Sequence, residues 1–217
     1  MHPLRLGLLL GAGIGLVRAI FFKPSFASAL VDAASADVGV LEGSSRVTQM
    51  LANYGIHQPV NWCAVAVGSW IRDAANALGV SMPIPGSASA KSTMLQFQNA
   101  NNPAVAWVPA DLARQQPSYV QPGTVVIWQR GDAGSWLGHI GVVTSSASNG
   151  GFSTIEGNDA GTGDRVARGQ RRLDAGSLLG FGVFTGKAPS GMLGATAIPP
   201  GADVFTPEDI CHARIRR

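Results

Sequence analysis

The 217 residues of the chain are 46% hydrophobic and only 13% charged, which fits one globular domain of ordinary size with additional terminal segments. With 28 glycines and 13 prolines, the composition favours strands and turns over a helical bundle. The formal charge of +3 forms no concentrated basic stripe, so we expect no nucleic acid as a partner. Two arginine clusters are expected to be solvated faces: Arg168, Arg171 and Arg172, and Arg214, Arg216 and Arg217.

The first 29 residues resemble a secretory signal. Arg5 precedes a short apolar run from Leu6 to Val17, and Ala27-Ser28-Ala29 supplies a small-residue cleavage site. We therefore predict that residues 1–29 are a signal peptide, that cleavage follows Ala29, and that the protein is exported to the periplasm or cell envelope.

An uncleaved membrane anchor is the alternative for the same segment. Glycines at positions 7, 11 and 15 would give a helix a smooth face suited to packing within a membrane. Residues 6–22 would then associate with the membrane, although the apolar run is short of the roughly 20 residues that a spanning helix needs. A poorly ordered extension is the third interpretation.

Two helices are predicted at the start of the domain, over residues 30–41 and 45–54. Glycines end both of them. After a Ser-, Pro- and Gly-rich loop over residues 81–90, a further short helix is expected over residues 91–99.

The third helix is the clearest in the sequence. Asn61 is a favourable N-cap, which predicts Trp62 at the first helical position and Cys63 at the second, and Gly79 ends the helix. Its apolar side chains share the spacing of one buried stripe: Cys63, Ala66, Val67, Trp70, Ile71, Ala74 and Leu78.

From about residue 105 the pattern changes to strands. The predicted strands cover residues 124–128, 139–144, 152–156, 166–173 and 181–184. Helices followed by an antiparallel sheet predict an α+β fold. We expect the domain to span residues 30–186.

A flexible C-terminal tail is predicted over residues 187–217, where no periodicity remains. The tail carries Cys211, which is the only cysteine besides Cys63. A disulfide between the two is conceivable in an oxidising compartment.

The position of Cys63 suits a nucleophile. A helix N-terminus stabilises a thiolate through its partial positive charge, and its free N–H groups can hold a developing oxyanion. The alternative is a buried core cysteine without chemistry, which is common on apolar helix stripes.

The predicted hairpin brings a histidine and a polar orienting group together. If Thr144 pairs with Gly151, His139 lies opposite Glu156; a register shifted by two places Asn158 opposite His139 instead. Cysteine, histidine and a polar third group are the parts of a thiol hydrolase: the thiolate attacks an amide carbonyl, and histidine moves the protons. A purely structural histidine is the alternative.

Other functional classes find little support in the sequence. The chain has no C-x-x-C pair and no histidine pair with metal-ligand spacing, and Asn158, Asp159 and Asp164 do not match an EF-hand loop. We therefore predict neither a metal nor a cofactor.

From Leu30 to Phe184 the chain resembles the CHAP family of cysteine- and histidine-dependent amidohydrolases and peptidases, within the papain-like NlpC group of cell-wall hydrolases. The resemblance is carried by these segments: Val38-Gly39-Val40, Trp62-Cys63-Ala64, Pro122-Gly123, Gly138-His139-Ile140-Gly141-Val142-Val143 and Ile155-Glu156-Gly157-Asn158. One position departs from the family pattern, because Thr124 stands where an aspartate usually follows the Pro-Gly turn.

The resemblance implies a papain-like fold in which Cys63 is the nucleophile, His139 is the base, and Glu156 and Asn158 are the polar members of the site. It also implies peptidoglycan as the substrate, cut either at the muramoyl–alanine amide or within the peptides. The alternatives are another amide or acyl-transfer substrate, and a catalytically inactive wall-binding or structural module of the same fold.

Overall fold

The structure, a computed structural model, describes residues 25–58, 60–158 and 164–184. Helices come first and strands follow, in this order: α1 (Phe26–Ala36), α2 (Ser45–Ala52), α3 (Cys63–Leu78), α4 (Ala90–Gln98), β1 (Val105–Pro109), α5 (Ala110–Gln115), a 3₁₀ turn (Pro117–Tyr119), β2 (Val125–Gln129), β3 (Gly138–Val143), β4 (Gly151–Glu156), β5 (Ala167–Arg172) and β6 (Leu178–Phe184). The predicted α+β class is confirmed. The proposed tail with Cys211, most of the proposed leader, and Asp159 lie outside the described residues.

The strands form one antiparallel sheet in the order β1-β6-β2-β3-β4-β5. Within this sheet β3, which carries His139, lies next to β4, which carries Glu156, and β5 lies on the other side of β4. In β3 and β4, Val142 pairs with Ile155 and Val143 with Thr154. This is the register shifted by two from the one that places His139 opposite Glu156.

Alternation along the strands divides the apolar core between the two faces of the sheet. Ile140 and Val142 of β3 pack in one cluster with the helix α3, which is buried along most of its length. Val143 and Trp128 belong to a second cluster that includes residues of α5. Packing on both faces holds β3, and therefore His139, in a fixed position.

The helix α1 begins four residues before the predicted start. Ser25 caps it by accepting a hydrogen bond from the backbone N–H of Ser28 at 3.1 Å. Ala29 is buried, and the ring of Phe26 lies 4.7 Å from that of Phe184 in β6. The predicted cleavage point after Ala29 therefore lies inside a packed helix.

The start of α3 also differs from the prediction. Trp62 is the N-cap and Cys63 the first helical residue, so the prediction of Asn61 as N-cap is wrong. The Oδ1 atom of Asn61 instead accepts a hydrogen bond from Asn158. Gly79, with φ of 65°, ends the helix as predicted.

Most other elements lie within a few residues of their predicted bounds. The main omission is the segment from β1 to the 3₁₀ turn, over which the sequence analysis predicts no individual element. Among the described residues, we find no helix with the length and apolar character needed to cross a membrane.

Candidate active site

Cys63 lies at the first position of α3 as a buried, free thiol. The N–H groups of the first helical turn have no partner within the helix, so they are available to a bound oxygen atom. The Sγ atom also receives stabilisation from the backbone N–H of Ala64. The beginning of the helix therefore supplies both a nucleophilic atom and donors for negative charge.

His139 and Glu156 form a buried pair. The Nε2 atom of His139 lies 2.7 Å from Oε2 of Glu156, and the two side chains are 4% and 1% exposed. Of the two polar residues that the sequence offers as partners of the imidazole, Glu156 is the one in contact with it, although the observed strand register is the one that places Asn158 opposite His139.

The absence of a side chain at Gly141 explains how Glu156 reaches His139 in this register. In the observed register Gly141, not His139, is the residue of β3 that faces Glu156, and a Cβ atom at Gly141 would lie 2.6 Å from Cγ of Glu156. The Glu156 side chain occupies this space and reaches along β3 to His139. Gly141 is therefore required for the contact.

A second glycine makes room on the other side of the carboxylate. Gly169 of β5 pairs with Thr154, and a Cβ atom there would lie 2.8 Å from Oε1 of Glu156. The hydroxyl of Thr154 donates to the same Oε1 atom at 2.5 Å. Glu156 thus lies between two strands that leave space for it.

Arg171 of β5 completes the surroundings of Glu156. Its Nε donates to Oε1 at 2.7 Å and its Nη2 donates to Oε2. The prediction of a solvated arginine face is therefore wrong for Arg171, whereas Arg168 and Arg172 are exposed. The pairing of β4 with β5 turns Arg171 towards the carboxylate.

Trp128 of β2 contacts two members of this group. It pairs with His139 across the strands, and the two rings are stacked with centroids 5.7 Å apart. The guanidinium carbon of Arg171 lies 5.4 Å from the centre of the Trp128 ring. The indole therefore limits the tilt of the imidazole and contacts the arginine that binds Glu156.

Asn158 has a different partner from the one predicted by the alternative register. Its Nδ2 donates to Oδ1 of Asn61 at 3.2 Å, and its backbone has a positive φ of 52° just beyond β4. The preceding Gly157 packs closely on the helix α3, because a Cβ atom there would lie 2.7 Å from Ala66. Asn158 thus connects the end of β4 to the beginning of α3 and does not contact the imidazole.

The electrostatics of Glu156 keep it ionised. Burial alone would raise its pKa, but hydrogen bonds from His139, Arg171 and Thr154 overcome this effect and lower the pKa to about 2. An ionised carboxylate can only accept hydrogen bonds, so Nε2 of His139 carries the proton between them. The Nδ1 atom is therefore the imidazole nitrogen that exchanges a proton with a neighbour.

Cys63 and His139 influence one another in opposite directions. Burial lowers the pKa of His139, but its interactions with Cys63 and Glu156 outweigh burial and raise the pKa to about 9. Burial raises the pKa of Cys63, yet His139, followed by Arg130 and the Ala64 amide, lowers it overall. The arrangement favours a thiolate beside an imidazolium.

The Nδ1 atom of His139 is buried and hydrogen-bonds no atom of the described residues. Because Nε2 is bound to Glu156, Nδ1 is the nitrogen left for the thiol or for a reacting group. Catalytic hydrogen bonds are often incomplete before substrate binds. The site can therefore deliver a proton from Nδ1 without first breaking a strong bond.

A loop over residues 130–137 follows β2 next to the site. Its carbonyl groups accept hydrogen bonds from Gln129 and from Lys91 of α4, which anchor it. Arg130, at its beginning, is close enough to stabilise the Cys63 thiolate. These hydrogen bonds therefore fix the loop in place next to Cys63.

Two further sequence features have structural explanations. Thr124, in place of the usual aspartate, is buried and donates to the carbonyl of Gln121 at 2.9 Å, so it closes the Pro-Gly turn. His57 is exposed. Across the described ranges, no group of three or more His, Cys, Asp or Glu side chains is placed to hold a metal ion.

Comparison with known proteins identifies a family for part of the chain. Residues 53–158 match the family description "CHAP domain", and the match includes Cys63, His139, Glu156 and Asn158. The comparison with curated protein sequences found no match. Among solved structures, the chain is similar to "The crystal structure of Ly7917", with 16% identity and a TM-score of 0.42.

That structural similarity covers 73% of this chain and 62% of the other, so the chain spans less than two thirds of that protein. The family match defines the class of this segment: residues 53–158 match the CHAP domain, whose members are typically hydrolases.

Proposed function

We propose that the protein hydrolyses amide bonds in peptidoglycan through the Cys63 thiolate. The observation that carries the proposal is the buried His139–Glu156 pair, with 2.7 Å between Nε2 and Oε2, next to a thiol at a helix N-terminus. A core cysteine with an unrelated structural histidine would need neither this alignment nor a buried, ionised carboxylate behind the ring.

The mechanism follows from the positions of these groups. The Sγ atom attacks the amide carbonyl, and the N–H groups at the start of α3 bind the resulting oxyanion. Nδ1 of His139 then gives its proton to the leaving amine, the C–N bond breaks, and an acyl-enzyme remains. Water attacks the thioester after losing a proton to Nδ1, which releases the carboxylic acid and restores the thiol.

Glu156 acts on the imidazole. As a carboxylate it accepts a hydrogen bond from the Nε2–H group and fixes the tautomer of the imidazole. It also stabilises the imidazolium, both beside the resting thiolate and when the imidazolium forms again during hydrolysis of the acyl-enzyme. Asn158 and Asn61 hold the first turn of α3 against the end of β4. This sets the position of Sγ relative to the ring.

The substrate class comes from the family, since CHAP domains suggest hydrolases of the amidase or peptidase type acting on peptidoglycan. Both the muramoyl–alanine amide and peptide bonds in the stem or cross-bridge suit a thiol mechanism. Mass spectrometry of the digestion products distinguishes them, because amidase action releases free peptides from the glycan, and endopeptidase action leaves peptide on the sugar.

The direct test is digestion of purified peptidoglycan by the wild type, Cys63→Ala and Cys211→Ala. We expect no product from Cys63→Ala, because enzymes commonly supply 10⁶-fold or more in rate and this variant lacks the nucleophile. Cys211→Ala is the matched control and should keep full activity. Wild-type protein that releases no products, or a Cys63→Ala variant with a tenth of wild-type activity, would contradict the proposal.

A peptidoglycan substrate also requires the protein to reach the cell envelope. We propose export directed by residues 1–29, with cleavage after Ala29 or retention as a membrane anchor. N-terminal sequencing of the protein from an envelope fraction tests this. A protein that begins at Leu30 supports cleavage at the predicted point, which would remove the packed residues Phe26 to Ala29 from α1. A protein that begins at Met1 in membranes supports the anchor.

A further inference from the structure

We propose that Arg171 is a positioning residue of the active site, which holds Glu156 in place and ionised so that Glu156 can support His139. The inference rests on the proposed function, because it concerns the same reaction. Arg171 lies on β5, outside the segment that matches the CHAP domain, residues 53–158.

The geometry of the contact is that of a fork. Nε of Arg171 donates to Oε1 of Glu156 at 2.7 Å, while Nη2 donates to Oε2, the same atom that faces Nε2 of His139. A bidentate guanidinium fixes both the position and the plane of a carboxylate. The plane of Glu156 in turn decides whether Oε2 points at the imidazole.

Because Glu156 is buried, its contact with Arg171 has a large effect on its charge state. Glu156 is fully buried, so an ionised carboxylate there is costly without an opposite charge and hydrogen bonds. The groups facing Glu156 are His139 from β3, Thr154 from β4 and Arg171 from β5. Of these, Arg171 alone carries a permanent positive charge, since the charge of His139 changes during the reaction.

One glycine and an indole show that the site is built around this fork. Gly169 leaves the space in which Glu156 meets Arg171, because a Cβ atom there would lie 3.4 Å from Nε of Arg171 and 2.8 Å from Oε1 of Glu156. Trp128 contacts both the guanidinium and the imidazole. Arg171 thus acts through Glu156 and Trp128.

The test compares Arg171→Gln, Arg171→Lys and the matched control Arg172→Gln. Arg172 is the next residue of β5, is exposed, and forms its own ion pair with Asp174 at 2.8 Å. The substitution Arg172→Gln therefore removes the same charge from the same strand without touching Glu156. Two readouts are needed: the pH dependence of kcat and KM on peptidoglycan, and the pH dependence of Cys63 alkylation by iodoacetamide, read by mass spectrometry on the Cys63 peptide.

For Arg171→Gln we expect kcat to fall about tenfold or more with KM unchanged, as the imidazole loses part of its general acid–base contribution. Without the fork, Glu156 protonates more easily and supports the imidazolium less. The acid limb of both pH profiles should move up by about one pH unit, the lower end of the effect of one nearby opposite charge. Arg171→Lys should recover part of the shift, and Arg172→Gln should match the wild type.

The alkylation profile separates failure of this inference from failure of the proposed function, because it needs no substrate. If the wild type does not cut peptidoglycan, a shifted profile in Arg171→Gln still supports the positioning role. If Arg171→Gln does not fold, Arg171→Lys takes its place, with a smaller shift in the same direction. Unchanged pH profiles in a folded Arg171 variant would overturn the inference, whatever its stability.

Discussion

Two buried carboxylates in this protein have similar surroundings and different consequences. Asp37, at the end of α1, accepts hydrogen bonds from Nε and Nη2 of Arg46 and from the indole N–H of Trp70 at 2.8 Å. Glu156 likewise meets an arginine fork, and an indole lies close by. The difference is that Glu156 also binds a titratable imidazole whose other nitrogen is left for Cys63 or a reacting group, while every described close partner of Asp37 is a permanent donor.

The comparison shows what turns an ion-pair cluster into a candidate active site. The Asp37 cluster joins three helices, because Asp37 follows α1, Arg46 lies on α2, and Trp70 lies on α3 together with Asp73, a second partner of Arg46. The hydrogen bonds and ion pairs of this cluster stabilise the packing of the three helices. In the Glu156 cluster, the same type of interaction supports the base that we propose beside the proposed nucleophile. We therefore expect substitutions in the first cluster to lower stability, and those in the second to lower activity.

The largest effect on activity within this comparison is expected for His139→Ala. Loss of the proton shuttle should lower kcat by about 10²–10⁴-fold or more, while Glu156 keeps its bonds to Arg171 and Thr154. Combined with Cys63→Ala, it should cause little further loss, since the two groups act as a unit. Rates of peptidoglycan digestion measure this, and fully additive losses would count against a coupled pair.

Asp37→Ala should lower the stability of the protein and leave its activity largely unchanged. It leaves Arg46 and the Trp70 indole without their acceptor, and breaking a buried pair costs about 3 kcal/mol. For a domain of this size, that lowers Tm by about 6–12 °C. The kcat of the folded protein at low temperature should stay near that of the wild type. A calorimetric scan and a rate assay on the same sample check both parts; lost activity without lost stability would remove the distinction between the clusters.

Glu156→Gln should have an intermediate effect, visible mainly in its pH dependence. The amide keeps the shape of the side chain but not its charge, so the pKa of His139 should fall from about 9 towards its ordinary value of 6.5. Because the imidazolium is the active form in the proposed mechanism, the alkaline limb of kcat/KM should move to lower pH, and activity at about pH 8 should fall by about tenfold or more. An unchanged alkaline limb would show that Glu156 does not set the protonation of His139.

The smallest effect is expected for Asn158→Ala. Its one described side-chain hydrogen bond goes to the exposed Asn61 and not to the imidazole. Such a bond contributes about 0.5–1.5 kcal/mol, so kcat should fall by about tenfold at most, with the pH profile unchanged. The matched variant Asn61→Ala should behave in the same way. A loss larger than that of Glu156→Gln would make Asn158 the group that orients the ring.

The sequence predicts the chemical groups of this site better than their connections. Cys63, His139 and Glu156 follow from local patterns: a helix start, and side-chain alternation on two adjacent strands. The register of β3 on β4 cannot be predicted in the same way, because it depends on the geometry of the connecting loop. In the observed register, Glu156 reaches His139 because Gly141 has no side chain. A glycine in a strand pattern usually indicates a turn or a weakened strand, so the sequence does not predict that Gly141 makes room for the Glu156 side chain.

Arg171 could not be found from its own segment. It lies in a run of alternating exposed and partly buried residues that is typical of an edge strand with a solvated face. Only the pairing of Thr154 with Gly169 turns Arg171 towards Glu156, and that pairing joins strands separated by residues 157–166. The available signal was Gly169 two residues before an arginine, on a strand that could pair with the one carrying Glu156.

The most direct measurement for this account is the rate of Cys63 alkylation by iodoacetamide at about pH 6, in the wild type and in His139→Ala. An ordinary thiol with a pKa of about 8.5 is almost entirely protonated there and reacts slowly. The account predicts rapid labelling in the wild type and a rate near that of an ordinary thiol in His139→Ala. Equal and slow labelling of both proteins would contradict it, because Cys63 would then be a buried core cysteine and not an activated nucleophile.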